Sequence, residues 1–310
     1  MKIVAAAMLG AAVALAVAPA CAQAPAPIPP AEPAAPRVQI KPIRDNIYWA
    51  PGEGRNGNSG VVVGKTGVIL IDVMASKAAG EALLADAAKL TSKPVKYVIL
   101  TGAAGEAIQG LAAVPPGLPI IAHESTARRL RLWIDQRARF APPEARMPTE
   151  LIHGARSTRT LDGVKMEFLH LAAAHTDTEM AIYLPQRKVV FAGWVVQAQP
   201  DFPIIHAKDG GGDFNMGGSA LGWITFTKGL LALDADTYVL GKGELWTKAD
   251  LRRRLEAQEA VVRQIREMVA AGRSHDEIRA SLGPAANLKG RHFDFMFSEI
   301  AYDEITGAKR

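Results

Sequence analysis

The sequence predicts an α+β protein of two mixed β-sheets with helices outside them. Apolar, β-branched runs separated by glycine turns come first and read as hairpins. Strands and helices then alternate through the middle of the chain. Amphipathic helices close it. The 310 residues are 49% hydrophobic and 22% charged, enough for one large core or two modest ones. The mean hydropathy of +0.06 excludes a disordered chain and a multi-spanning membrane protein. A single Cys rules out an intrachain disulfide framework and a thiolate zinc cluster. The net charge of +5 is mild and scattered. Its one dense run, Arg252-Arg253-Arg254, sits in a helical pattern and reads as a solvated helix face, so no nucleic-acid partner is expected.

The N-terminus has the marks of an export signal. Lys2 is a short positive region, residues 3–17 are apolar, and Ala20-Cys21-Ala22 fits the small-x-small cleavage rule. Cleavage is expected after Ala22, with Ala24 as second choice. A lipidated Cys21 is the rival reading, disfavoured because Ala18 stands where a Leu-like residue is wanted. Residues 1–22 are thus a signal peptide and 23–37 a Pro/Ala-rich tether. A domain follows over 38–247, and a helical extension packed on it over 248–310. The expected location is the periplasm or the medium, with no membrane span after cleavage.

Within the domain, residues 46–49 read as a strand and 52–60 as a Gly/Asn-rich loop. Residues 61–63 and 68–71 form a hairpin about Gly64-Lys65-Thr66-Gly67. Those turn residues do not make a phosphate loop, because Ser59 stands where its first glycine belongs. Ser76 caps a helix over 77–90. Strands follow at 95–100 and 119–122, then a helix over 126–139 capped by Ser125 and ended by Pro142-Pro143. Three more strands are expected at 165–170, 181–184 and 188–191. A glycine-rich loop at 210–218, a short helix at 227–233 and a strand at 237–240 complete the domain. From Lys248, Leu251, Leu255, Val262, Ile265 and Val269 recur at helical spacing up to Gly272. Ser274-His275-Asp276-Glu277 is a capping box for a second helix.

In this order of elements the chain resembles the metallo-β-lactamase superfamily, an αββα sandwich. The resemblance rests on Asn58-Ser59-Gly60, the run Gly67 through Asp72, the strand ending in Ile99-Leu100-Thr101, and Ala174-His175-Thr176-Asp177. Two further strings carry it, Val189-Val190-Phe191-Ala192-Gly193 and the run Asp234 through Gly241. It implies a zinc-dependent hydrolase of esters, lactones, thioesters, phosphoesters or lactams. The zinc would be held by a His-x-His-x-Asp-His run, a lone His, a bridging Asp and a final His.

At those positions the sequence departs from the family. Gly102, Ala104 and Ala107 stand where the run has histidines, and Glu106 where it has Asp. His175 matches the lone His. Trp194 replaces the bridging Asp and Lys242 the final His. The expected remnant pocket is therefore Glu106, His175, Trp194 and Lys242, with no metal ligand set. Zinc is expected to be absent or weakly bound, and no other cofactor is implied. Glu106 and Lys242 are expected to pair across the former second metal position, with Trp194 filling the volume between the two former metals. The other six histidines show no metal-ligand spacing. His123-Glu124-Ser125 has a triad's composition, but such adjacent residues seldom converge. Asp201, His206, Asp209 and Asp213 read as part of a mobile, solvated loop near the pocket. The alternate phenylalanines in 291–297 read as tail packing.

The first functional reading is an exported pseudoenzyme that binds a small molecule or an envelope protein through the remnant cleft. The second is a hydrolase of the same superfamily with a reduced or relocated site and His175 as its base or sole imidazole ligand. The third is a structural or assembly role in the envelope.

Overall fold

The computed structural model describes residues 37–138, 141–142, 146–198, 202–207, 216–282 and 296–308. The signal and most of the tether lie outside the described residues, as do Cys21, Asp201, Asp209, Asp213, His292 and most of the glycine-rich loop at 210–218. The described residues belong to one compact unit.

The first sheet contains β1 (Lys41–Arg44), β2 (Ile47–Ala50), β3 (Ser59–Val63), β4 (Val68–Ile71), β5 (Val95–Ile99), β6 (Ile120–His123) and β7 (Glu150–Ile152), in that spatial order. Strands β1 to β4 are antiparallel neighbours, and β4 to β7 are parallel. The second sheet contains β8 (Arg156–Leu161), β9 (Val164–Leu169), β10 (Ala181–Leu184), β11 (Val189–Gln197), β12 (Thr237–Lys242) and β13 (Trp246–Thr247). Only its β11–β12 pair is parallel. Both sheets are mixed, as the sequence predicts.

Period-two alternation sorts the side chains into three layers. In β4, Ile69 and Ile71 point between the sheets, while Val68 and Leu70 point outward. The inter-sheet layer joins Ile47, Ile69 and Ile99 to Phe168, Ile182 and Phe191. Outside the first sheet, Leu70 and Val98 pack against α1 (Lys77–Leu90) through Leu83 and against α3 (Glu124–Asp135) through Leu130 and Trp133. Outside the second sheet, Val190 and Tyr238 join the side chains of α4 (Ala220–Leu231), α5 (Lys248–Ala270), α6 (His275–Ser281) and α7 (Phe297–Thr306). The result is the αββα sandwich. A continuous apolar run such as 68–71 follows from burial on both faces.

The helix starts at α1 and α6 are capped as the sequence predicts, and α5 has a cap besides. The Ser76 hydroxyl accepts from Ala79 N at 3.2 Å at the start of α1. Thr247 with Asp250 and Ser274 with Glu277 form complete capping boxes at α5 and α6. In two places the structure differs. His123, not Ser125, is the N-cap of α3, because its ring folds back to accept from Ser125 N at 3.2 Å. Helix α4 begins at Ala220, well before 227, because the Ser219 hydroxyl caps Gly222 N at 2.8 Å. Strands β1, β7, β8 and β13 and helices α2 (Gly105–Ile108) and α7 have no counterpart in the sequence reading. The Arg/Thr alternation of β8 exposes one face and lacks an apolar signal.

Strand β11 is longer than expected and buried throughout. Its register against β12 slips at Gly193, which has φ +55°. A Cβ on Gly193 would stand 2.4 Å from Thr101 Oγ1. The glycine thus lets the two sheets approach and sets where Trp194 points.

Candidate functional site: a rebuilt metal cleft

The parallel strands end at one edge of the sandwich, where open α/β sheets bind ligands. Asp72 follows β4, Thr101 follows β5, and α2 (Gly105–Ile108) carries Glu106. Trp194 lies in β11 and Lys242 ends β12. Asp72 is fully buried with φ +57° and accepts from Thr101 N at 2.9 Å and from Thr101 Oγ1 at 2.6 Å. Burial raises its carboxyl to about 7 against the pull of those two bonds. Glu179 is likewise raised to about 7 by burial, and it accepts from Thr176 N at 2.7 Å and Thr176 Oγ1 at 2.6 Å. The Thr178 hydroxyl accepts from Ala103 N at 3.0 Å, so this network fixes the segment leading into α2.

His175 is buried, and its Nδ1 lies 2.7 Å from the carbonyl oxygen of Ile204. A carbonyl only accepts, so Nδ1 carries the proton and Nε2 keeps its lone pair. Burial lowers the His175 pKa; the Ile204 bond and the Glu106 charge oppose that shift. The ring of Trp194 tilts against His175 with centroids 5.7 Å apart. The Trp194 indole N–H is buried and has no acceptor among the described residues. Glu106 makes no side-chain hydrogen bond or ion pair among the described residues, yet its charge reaches His175.

The expected Glu106–Lys242 pair does not form. No ion pair within 4.0 Å joins them, and the Lys242 ammonium donates instead to the Gly54 carbonyl. The physical reason is the 52–58 loop. Gly57 N donates to Glu106 O at 3.0 Å, and Asn58 N donates to Gly241 O at 2.8 Å. The loop therefore runs between the backbones carrying the two side chains. A Cβ on Gly57 would lie 3.2 Å from Glu106 O, 3.1 Å from Gly241 O and 3.3 Å from Trp194 Cζ2. Trp194 lies against His175, and a loop carbonyl is what satisfies Lys242.

The structure also adds a residue that spacing did not reveal. His206 stands edge-on to His175, with centroids 4.6 Å apart. Its N donates to His175 O at 2.7 Å, and Gly218 N donates to His206 O at 2.6 Å. Desolvation first, and His175 second, hold the His206 imidazole down at about 2. It belongs to the packed wall of the cleft rather than to a solvated loop. His123 and His170 form a second pair, stacked with centroids 3.8 Å apart. The Ser125 hydroxyl meets His123 Nδ1 at 2.7 Å, so two members of the triad-like string do converge. Glu124 turns away to His153 at 3.1 Å, and no triad results.

The residues present do not fit the zinc centre that the resemblance implies. Its positions supply one imidazole and one carboxylate, with an ammonium in place of the last ligand. Among the described residues, no group of three His, Cys, Asp or Glu is placed to hold a metal ion. No described helix is long and apolar enough to cross a membrane.

With two facing mixed sheets, helices outside both, and the cleft at their common edge, the chain has the metallo-β-lactamase fold. Solved structures it is similar to include a metallo-β-lactamase from Pontibacter korlensis, with TM-score 0.60 and 20% identity over 72% of this chain and 99% of that one. DIM-1 metallo-β-lactamase exposed to ceftazidime matches with TM-score 0.58 and 18% identity over 73% and 98%. A double mutant of the sec-alkyl sulfatase PisA1 matches with TM-score 0.61 and 15% identity over 87% of this chain and 50% of that one. No family model and no curated protein matches the chain.

Proposed function

We propose that this protein is an exported, non-catalytic member of its fold class that binds a small molecule through the remnant cleft. The observation that supports this most is the cleft's replacement chemistry. Trp194 packs on His175, the 52–58 loop separates Glu106 from Lys242, and the ammonium is already satisfied. What remains is suited to recognition. His175 Nε2 offers an acceptor, and Glu106 a carboxylate with no partner among the described residues. The N-terminal signal pattern supports the export part of this reading.

A second reading, hydrolysis by a reduced site, has one observation in its favour. His175 is held neutral in a single tautomer with Nε2 available, as a general base must be. The test is to purify the protein in zinc-containing buffer, strip loose metal, and measure zinc per chain and turnover of an ester, lactone and thioester panel. The binding reading expects zinc well below one per chain and no turnover that His175→Ala abolishes. One firmly held zinc, or His175-dependent hydrolysis, would establish the enzyme instead.

A further inference from the structure

Two histidines from different sheets meet face to face. His123 ends β6 of the first sheet, and His170 directly follows β9 of the second. Their rings stack with centroids 3.8 Å apart and planes 21° from parallel. His123 is buried and His170 half-buried.

Their hydrogen bonds assign the protons. His170 Nδ1 lies 2.7 Å from the Glu179 carbonyl oxygen, so that nitrogen carries the hydrogen. His123 Nδ1 accepts from Ser125 N at 3.2 Å, and Ser125 Oγ lies 2.7 Å from the same nitrogen. The hydrogen of the His123 ring is therefore on Nε2, which is buried and makes no hydrogen bond among the described residues. A second proton on His123 must go to Nδ1. It would turn the acceptor that caps α3 into a donor facing the Ser125 N–H, and the first turn of the helix would lose its cap. It would also set a charge against the second imidazole.

The surroundings oppose that charge. Burial first and His170 second hold the His123 imidazole down at about 4, and His153 adds to them. Glu124 and the Gly154 carbonyl favour the charge, but Glu124 is engaged by His153 at 3.1 Å. The Glu179 carboxylate is occupied by Thr176 N and Thr176 Oγ1.

Helix α3 is tied to the cleft wall at two further points. Thr126 Oγ1 donates to Thr178 O at 2.9 Å, and Arg129 pairs with Asp177 at 3.2 Å. Residues 176–179 follow His175 directly. The cap, the stack and these two bonds thus make one junction between α3, the second sheet and the cleft.

We propose that the His123–His170 stack is an acid-released latch: protonation of His123 parts the rings, uncaps α3 and frees residues 176–179 beside the cleft. The latch depends neither on what the cleft binds nor on whether it is catalytic.

The test is hydrogen exchange of the full protein from pH 7.5 to pH 5.0, corrected for intrinsic rates. His123 sits at about 4 when stacked and at its ordinary 6.5 when released, so release takes up a proton between those values. Opening then grows about tenfold per pH unit below 6.5, roughly thirtyfold by pH 5.0. Protection of residues 125–130 and 176–179 should fall by that factor, while α5 on the outer face of the second sheet changes less than about threefold. His123→Asn keeps a capping side chain without a titrating group, so its loss over the same range should also stay under about threefold. Nitrogen NMR of the unaltered protein needs no variant: His123 should be the Nε2–H tautomer at pH 7.5 and still uncharged at pH 5.5. The proposal is overturned by steady protection in the unaltered protein, by an equal loss in His123→Asn, or by a loss that α5 shares. A His123 that is charged at pH 5.5, or that carries its hydrogen on Nδ1 at pH 7.5, also overturns it.

Discussion

Asn58 ties the 52–58 loop to the second sheet, and its removal should loosen the cleft edge. The side chain is buried. Its oxygen accepts from Gly52 N at 2.9 Å, and its nitrogen donates to Leu240 O at 3.0 Å and to Gly243 O at 2.7 Å. Asn58→Ala removes three bonds worth about 1 kcal/mol each net, and it leaves the partner groups short of a bond, so the expected cost is about 3 kcal/mol. At about 2–4 °C per kcal/mol for a domain of this size, the melting midpoint should fall by roughly 6–12 °C. Asn58→Asp is the sharper probe. It keeps the acceptor for Gly52 N but sets a carboxylate against two carbonyl oxygens, so it should cost more than alanine at pH 7.5. Urea titrations followed by circular dichroism give both values. An alanine cost under about 0.5 kcal/mol, within the range of ordinary surface changes, or an aspartate variant more stable than alanine, would refute the role assigned to this loop anchor.

Asp72→Asn should change stability in a pH-dependent way. The folded carboxyl sits at about 7, above its usual 3.8, so its contribution is complete below pH 3.8 and is lost as pH rises through 7. Relative to wild type the Asn variant should therefore gain between pH 5 and pH 8.5 in paired thermal melts, and parallel curves would contradict the raised carboxyl. Glu299→Gln should destabilise the packing of α6 on α7. The buried carboxylate receives Arg279 at 2.9 and 3.0 Å and lies 3.0 Å from His275 Nε2. Breaking a buried ion pair costs about 3–5 kcal/mol. Hydrogen exchange should show α6 and α7 opening first, and unchanged protection there would overturn the assignment.

Local chemistry made much of the fold legible. The 61–71 hairpin, the Ser76 cap and the capping box at Ser274 depend on neighbours within a few residues, and the structure has each of them. That Gly102, Ala104 and Ala107 cannot bind a metal through their side chains is also visible in the sequence, because a Gly or Ala side chain has no donor wherever it is placed. Tertiary structure alone decided how the replacements are arranged. His206 reaches His175 although the two are 31 positions apart in sequence number, at no spacing that marks a shared site. Gly57 bonds to Glu106 of α2 and Asn58 to Gly241 of β12, and that insertion keeps Glu106 and Lys242 apart. Opposite charges at two former ligand positions suggest attraction. Whether they meet depends on the backbone that occupies the space between them, and linear spacing carries no information about that space.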